Sequence, residues 1–168
     1  SPWRYVSLYE AQKLCTRANK RLPSNAEWHQ ASLLMEDDSG CVIDAADVAK
    51  TGSAACGDAR GIYDLVGNVW EWIDATVSDG LVNGRPIPPA GFVSVVDSAG
   101  LVVETALTPV GSYGADYAWT QPRGTYGIVR GGFYGNGQDA GVFAQNLSVP
   151  FDLRTGGVGF RCVHSPTS

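Results

Sequence analysis

Few side chains in this sequence could do chemistry: two histidines, His29 and His164, four cysteines, Cys15, Cys41, Cys56 and Cys162, and a scatter of carboxylates. A serine or cysteine nucleophile needs a base within hydrogen-bond reach. His29 falls inside a helical stretch, where it reads as an exposed helix residue, and His164 sits in the tail, so no triad is assembled. A zinc site would draw on cysteines and histidines at short spacings, and neither C-x-x-C nor H-x-x-x-H occurs. The carboxylate pairs Asp37-Asp38 and Asp44/Asp47 lack the glycine-punctuated run of oxygen ligands that a calcium loop requires, and read as solvated loop charge. Arg130-Gly131-Gly132 does not follow a strand and open a helix as a phosphate-binding turn would; tight turns account for it. The four cysteines allow two bridges in an oxidising compartment, while Cys15 and Cys162 could equally be buried thiols held reduced. A Cys15–Cys162 bridge would close nearly the whole chain, with a loop-entropy gain of about 4 to 5 kcal/mol.

The elements that position these residues fit one domain, since 168 residues suffice to bury one core. With 44% hydrophobic residues, 5 Trp, 7 Tyr and 5 Phe, the chain is not disordered. Its net charge of -5 and its three lysines, Lys13, Lys20 and Lys50, offer no footprint for a phosphate backbone, which argues against nucleic acid as a partner. No membrane-spanning segment is expected, because no apolar run approaches bilayer length. The opening Ser1-Pro2-Trp3 shows no charged and then apolar leader, and an upstream signal, anchor or segment is expected to have been removed.

Two capping boxes, Ser7-Leu8-Tyr9-Glu10 and Ser24-Asn25-Ala26-Glu27, start two short helices, followed by apolar residues at helical spacing: Ala11, Leu14, Cys15 and Ala18, then Trp28, Ala31 and Met35. Residues 36–60 read as a surface excursion whose ends Cys41 and Cys56 could clip together. Residues 61–72 pack aromatic and β-branched side chains around a Gly-Asn turn, which predicts short core strands. Residues 80–123 are expected to be long loops with a hairpin or two, and the glycine-rich block 130–161 carries the turn signal Asn136-Gly137. The sum is an α+β domain of two early helices, short antiparallel strands and long loops.

Several segments together resemble the formylglycine-generating-enzyme (sulfatase-modifying factor) family, a variant of the C-type-lectin-like fold. They are Lys20-Arg21-Leu22-Pro23-Ser24-Asn25-Ala26-Glu27-Trp28, Asp64-Leu65-Val66-Gly67-Asn68-Val69-Trp70-Glu71-Trp72, Val129-Arg130-Gly131-Gly132-Phe133 and Val158-Gly159-Phe160-Arg161-Cys162. The resemblance spans nearly the whole chain, without the family's opening strand. It implies that Cys15 and Cys162 lie side by side. It also implies that oxygen-dependent members oxidise through two copper-binding cysteines, whose positions here are Asn136 and Gly141, neither able to supply a thiolate. Relatives that hold iron through histidines imply a site that two scattered histidines cannot build. Enzymatic function is disfavoured, and fold alone would not transfer it.

Within that fold class the sequence is similar to the variable proteins of diversity-generating retroelements, in Ser24-Asn25-Ala26-Glu27-Trp28, Thr51-Gly52-Ser53 and Gly61-Ile62-Tyr63-Asp64-Leu65-Val66-Gly67-Asn68, and in the ending from Arg130 to Cys162. The resemblance implies that mutable codons there exclude Lys, Glu, Met, Trp and Gln; residues 130–162 hold none of these except Gln138 and Gln145. It implies a ligand-binding protein displaying changeable side chains on a stable scaffold. The candidate variable residues are Tyr134, Gly135, Asn136, Gln138, Asp139, Gln145, Asn146, Ser148, Phe151, Asp152, Leu153, Arg154 and Thr155. Tyr134, Asn136, Asp139, Asn146, Ser148, Phe151, Asp152 and Arg154 are expected to be largely exposed on one face, with Phe143, Val158 and Phe160 buried beneath. Gly131, Gly132, Gly141 and Gly159 are expected where a side chain is excluded, and Arg130 and Arg161 to pin loops.

The implied partner is a protein or cell-surface ligand, met on a virion or cell surface rather than in the cytoplasm. A lectin binding sugar through calcium ranks last. No cofactor is implied beyond a structural calcium, for which Asn68 and Glu71 are the candidate ligands beside the alternative of a buried Asn-Glu hydrogen-bond pair. Asn146-Leu147-Ser148 matches a glycosylation sequon and is taken as accidental.

Overall fold

In the computed structural model, which describes residues 1–35 and 40–165, both helices begin where the capping boxes place them. In α1 (Leu8–Arg17) the Ser7 side chain accepts from the Glu10 backbone while the Glu10 carboxylate reaches back, and Leu8, Ala11 and Cys15 turn inward. In α2 (Asn25–Ser32) Ser24 and Glu27 repeat the exchange. This helix stops short of Met35, and it buries His29 together with Trp28 and Ser32. His29 is therefore not the exposed helix residue expected. The 97–101 turn folds over α2, where Asn25 donates to the Ala99 carbonyl at 2.7 Å, and the imidazole lies against Gly100 and Phe143.

Residues 61–69 correct the expectation of short strands: Gly61, Asp64, Gly67 and Asn68 all take positive φ, which breaks extended backbone into turns. The strand starts only at the tryptophan pair, as β1 (Trp70–Ser78). Residues 80–123 hold more strand than expected. They form the hairpin of β2 (Leu81–Val82) with β3 (Arg85–Pro86), the hairpin of β4 (Gly91–Val96) with β5 (Val102–Ala106), and β6 (Tyr117–Trp119). After β7 (Thr125–Arg130) come β8 (Gln145–Val149) and β9 (Val158–Phe160). The strands join in one mixed sheet in the order β3-β2-β1-β7-β8-β6-β4-β5, with β9 parallel to β1.

β1 runs through the middle and feeds two apolar clusters. Trp70 and Trp72 pack with Leu8, Ala11, Leu22, Val129 and Val158, whereas Ile73 and Val77 join Trp28, Leu65, Ile128 and Leu147. Both cysteine pairs are disulfides. Cys15–Cys162 (Cα–Cα 5.5 Å) ties α1 to the end of the chain, and Cys41–Cys56 (Cα–Cα 4.6 Å) closes the excursion. The pair Asp37-Asp38 lies outside the described residues.

Candidate binding surface

The candidate variable block is held by backbone geometry and one buried cation. Arg130, at the end of β7, is fully buried over the Trp28 ring; it donates to Asn25 Oδ1, the Gly100 carbonyl and the Val142 carbonyl, so its guanidinium clamps three segments as expected. Burial pushes its pKa down to about 9. The chain then turns through Gly131, at φ +93°, where a Cβ would stand 2.3 Å from the Leu65 carbonyl oxygen; only glycine fits. The loop beyond is stapled to the scaffold: Tyr134 donates its N–H to the Asn68 carbonyl at 3.1 Å and accepts from the Ala45 N–H at 2.8 Å.

The candidates do not form one exposed face; all but Gln145 divide into three groups. Tyr134, Asn146, Leu153 and Thr155 line a cleft of about 240 Å³ with Trp70, Val129, Phe133, Val149, Gly157 and Val158. Ser148 stands beside it, its hydroxyl donating to Asn146 Oδ1 at 2.8 Å. Phe151, Asp152 and Arg154 instead lie by the start of α1: Phe151 packs edge-on to Tyr9, and Arg154 grips the Glu10 carboxylate at 2.9 and 3.0 Å. In the third group Gly135 and Gln138 are exposed, but Asn136 turns in to accept from the Phe133 N–H at 2.9 Å, and burial pushes the Asp139 carboxyl up. Beneath, Val158 is buried, while Phe143 and Phe160 are only half-buried, a departure from the expected core.

Gln145 departs most. It is fully buried, donating to the Gly100 and Phe143 carbonyls and accepting from the Val102 N–H, so it belongs to the Arg130 network and not to a display surface. Two signals were available. The alternation of β8 puts Gln145 in phase with Leu147 and Val149, and the codon restriction implied by the resemblance excludes glutamine. The sequence pattern also missed Trp70 and Phe133 as cleft walls; Trp70 is held by Trp119, ring centroids 5.4 Å apart and perpendicular.

Both candidate calcium ligands are engaged within the protein. Glu71 takes a two-pronged contact from Arg161 and a 2.8 Å hydrogen bond from the Trp28 indole, and Asn68 Oδ1 accepts from the Ala49 N–H at 2.9 Å. The alternative Asn68–Glu71 pair is not formed either. Among the described residues no cluster of three or more His, Cys, Asp or Glu is arranged to hold a metal.

Two capped helices against a curled mixed sheet, closed by a disulfide between the first helix and the last strand's exit, define a C-type-lectin-like domain. The chain belongs to the sulfatase-modifying factor enzyme 1-like domain family, whose pattern matches residues 44–166. Among solved structures it is similar to the M1 variant of Major Tropism Determinant, with a TM-score of 0.57 at 17% identity, covering 93% of this chain and 36% of that one. The P3c variant gives 0.54 at 16% identity over the same shares. Variable protein 1 of Treponema denticola gives 0.56 at 15% identity, covering 95% of this chain and 69% of that one. The chain thus spans about 36% of the length of the tropism determinants it matches. No curated protein matches it.

Proposed function

We propose that this domain is a ligand-binding variable protein, in which a rigid scaffold presents Tyr134, Asn146, Leu153 and Thr155 to a protein or cell-surface partner. The observation that carries this is their convergence, from three separate chain segments, on one cleft whose other walls are Trp70, Phe133, Gly157 and the valines Val129, Val149 and Val158. An aromatic, an amide, an aliphatic and a hydroxyl around a shallow apolar floor suit recognition by burial and a few polar contacts. The fold shared with proteins named for tropism and variability supports the same function. An oxidase of the formylglycine-generating type is disfavoured, since Asn136 and Gly141 stand at the expected cysteine positions and all four cysteines are paired in disulfides. The test is a displayed library randomised at the four cleft residues and selected against several purified proteins. Folded binders of differing specificity are the expected result. Loss of folding in most members, or copper-dependent oxygen consumption on a cysteine-containing peptide by the parent, would overturn it.

A further inference from the structure

A second cleft, about 470 Å³, opens on the other side of the Gly-Asn-Val-Trp-Glu-Trp motif and shares no lining residue with the first. Its walls include three aromatic rings, Trp3, Tyr63 and Phe160, and its floor holds Asp64, Asn68 and Glu71. Trp3 is 61% and Tyr63 45% exposed, and Trp3 leans on Phe160 with ring centroids 5.9 Å apart. The polar groups are unequally occupied. Arg161, the one guanidinium in the lining, spends its Nε and one terminal nitrogen on Glu71 and the Tyr63 carbonyl, which also neutralises Glu71. The Asn68 amide is held by the Ala49 backbone and also hydrogen-bonds the Asp64 side chain. Asp64 remains. It is 6% exposed and accepts from the Gly52 N–H at 2.9 Å, and among the described residues no cation stands within ion-pair distance of it.

We propose that this cleft binds an organic cation, an alkylammonium whose charged head meets Asp64 and whose methyl or methylene groups lie against Trp3, Tyr63 and Phe160. Ring faces carry the negative side of the aromatic quadrupole and a buried carboxylate supplies the counter-charge, so a cation with an apolar skirt complements both. An anion would meet the charge of Asp64, while Arg161, the guanidinium that could offset it, already faces Glu71. A neutral sugar would bring no counter-charge to the buried carboxylate of Asp64. Burial pushes the Asp64 carboxyl up despite the pull of Arg161, so an ammonium head would also relieve a desolvated charge.

The experiment titrates the full chain by calorimetry with choline and with 3,3-dimethylbutan-1-ol, which has the same shape without the charge. Choline is expected to saturate one site, and the neutral isostere to bind about tenfold more weakly or not at all. Asp64→Asn and Trp3→Ala should each weaken choline about tenfold, and choline affinity should fall as acid protonates Asp64. Trp3 lies mostly in water, so Trp3→Ala keeps the fold and decides the matter should Asp64→Asn unfold. Failure of choline to bind, equal binding of the isostere, wild-type affinity in Trp3→Ala, or displacement of choline by equimolar calcium chloride would each overturn the proposal.

Discussion

Arg161 holds Glu71 across 90 residues of chain, Nε to Oε2 at 2.6 Å and a terminal nitrogen to Oε1 at 2.5 Å, while the Trp28 indole donates to the same carboxylate at 2.8 Å. One buried acid thereby joins α2, the central strand and the exit of β9. We predict that Arg161→Met costs about 3 to 5 kcal/mol in urea unfolding, because it leaves a carboxylate at 5% exposure without its cation. Glu71→Gln should cost less, since an amide oxygen still accepts from Trp28. Equal, small effects of both would show that the pair carries no structural role.

The division of the candidate residues predicts where substitution is tolerated. Gln138→Ala and Asp152→Ala, both exposed, should change stability by no more than about 0.5 kcal/mol. Gln145→Ala should cost about 1 to 3 kcal/mol, by removing the side-chain partner of the Val102 N–H and of the Phe143 carbonyl inside the core. A thermal melt of each variant separates the two classes, and a neutral Gln145→Ala would return that position to the display set.

Acid should act in two windows. Burial, with Arg130 adding to it, lowers the His29 pKa below its usual 6.5, so the unfolded chain takes the proton first and stability declines as pH falls from about 6.5 towards the folded pKa. His29→Gln should flatten that limb. The hydrogen bond from Arg21 lowers Glu27 to about 2, so the stability it contributes is full above about pH 4.5 and is lost as pH falls towards 2. Arg21→Ala should remove the Glu27 share of that second decline, leaving the share of Glu10, which Arg154 also lowers to about 2, and leaving the first decline unchanged. Chemical denaturation at closely spaced pH values reads both.

The two disulfides should differ in weight. Cys15–Cys162 spans 147 residues and Cys41–Cys56 only 15, so loop entropy predicts losses of about 5 and about 3 kcal/mol when each pair is replaced by alanines. We expect the Cys15→Ala/Cys162→Ala protein to melt lower than the Cys41→Ala/Cys56→Ala protein. The reverse order would mean that the excursion, and not closure of the whole domain, limits stability.

The amino-acid sequence by itself determined what depends on neighbours three or four residues apart. Ser7 with Glu10 and Ser24 with Glu27 start both helices, because each cap is a local exchange of hydrogen bonds. Gly131 and Gly137 mark turns, because only a residue without a side chain enters the left-handed region cheaply. The motif order carried the family and the fold class. Tertiary structure decided the rest. Whether residues 61–69 are strand or turn depended on Asp64 and Asn68 finding partners at Gly52 and Ala49 that would support a strained backbone. Whether His29 meets water depended on a turn 70 residues away closing over α2. The alternation of β8 set which residues share a face, but only the turn at Gly100 and the start of β5 covered Gln145, while Asn146 was left at the cleft. Burial is a property of the surroundings a residue acquires on folding, and no spacing along the chain states what those surroundings will be.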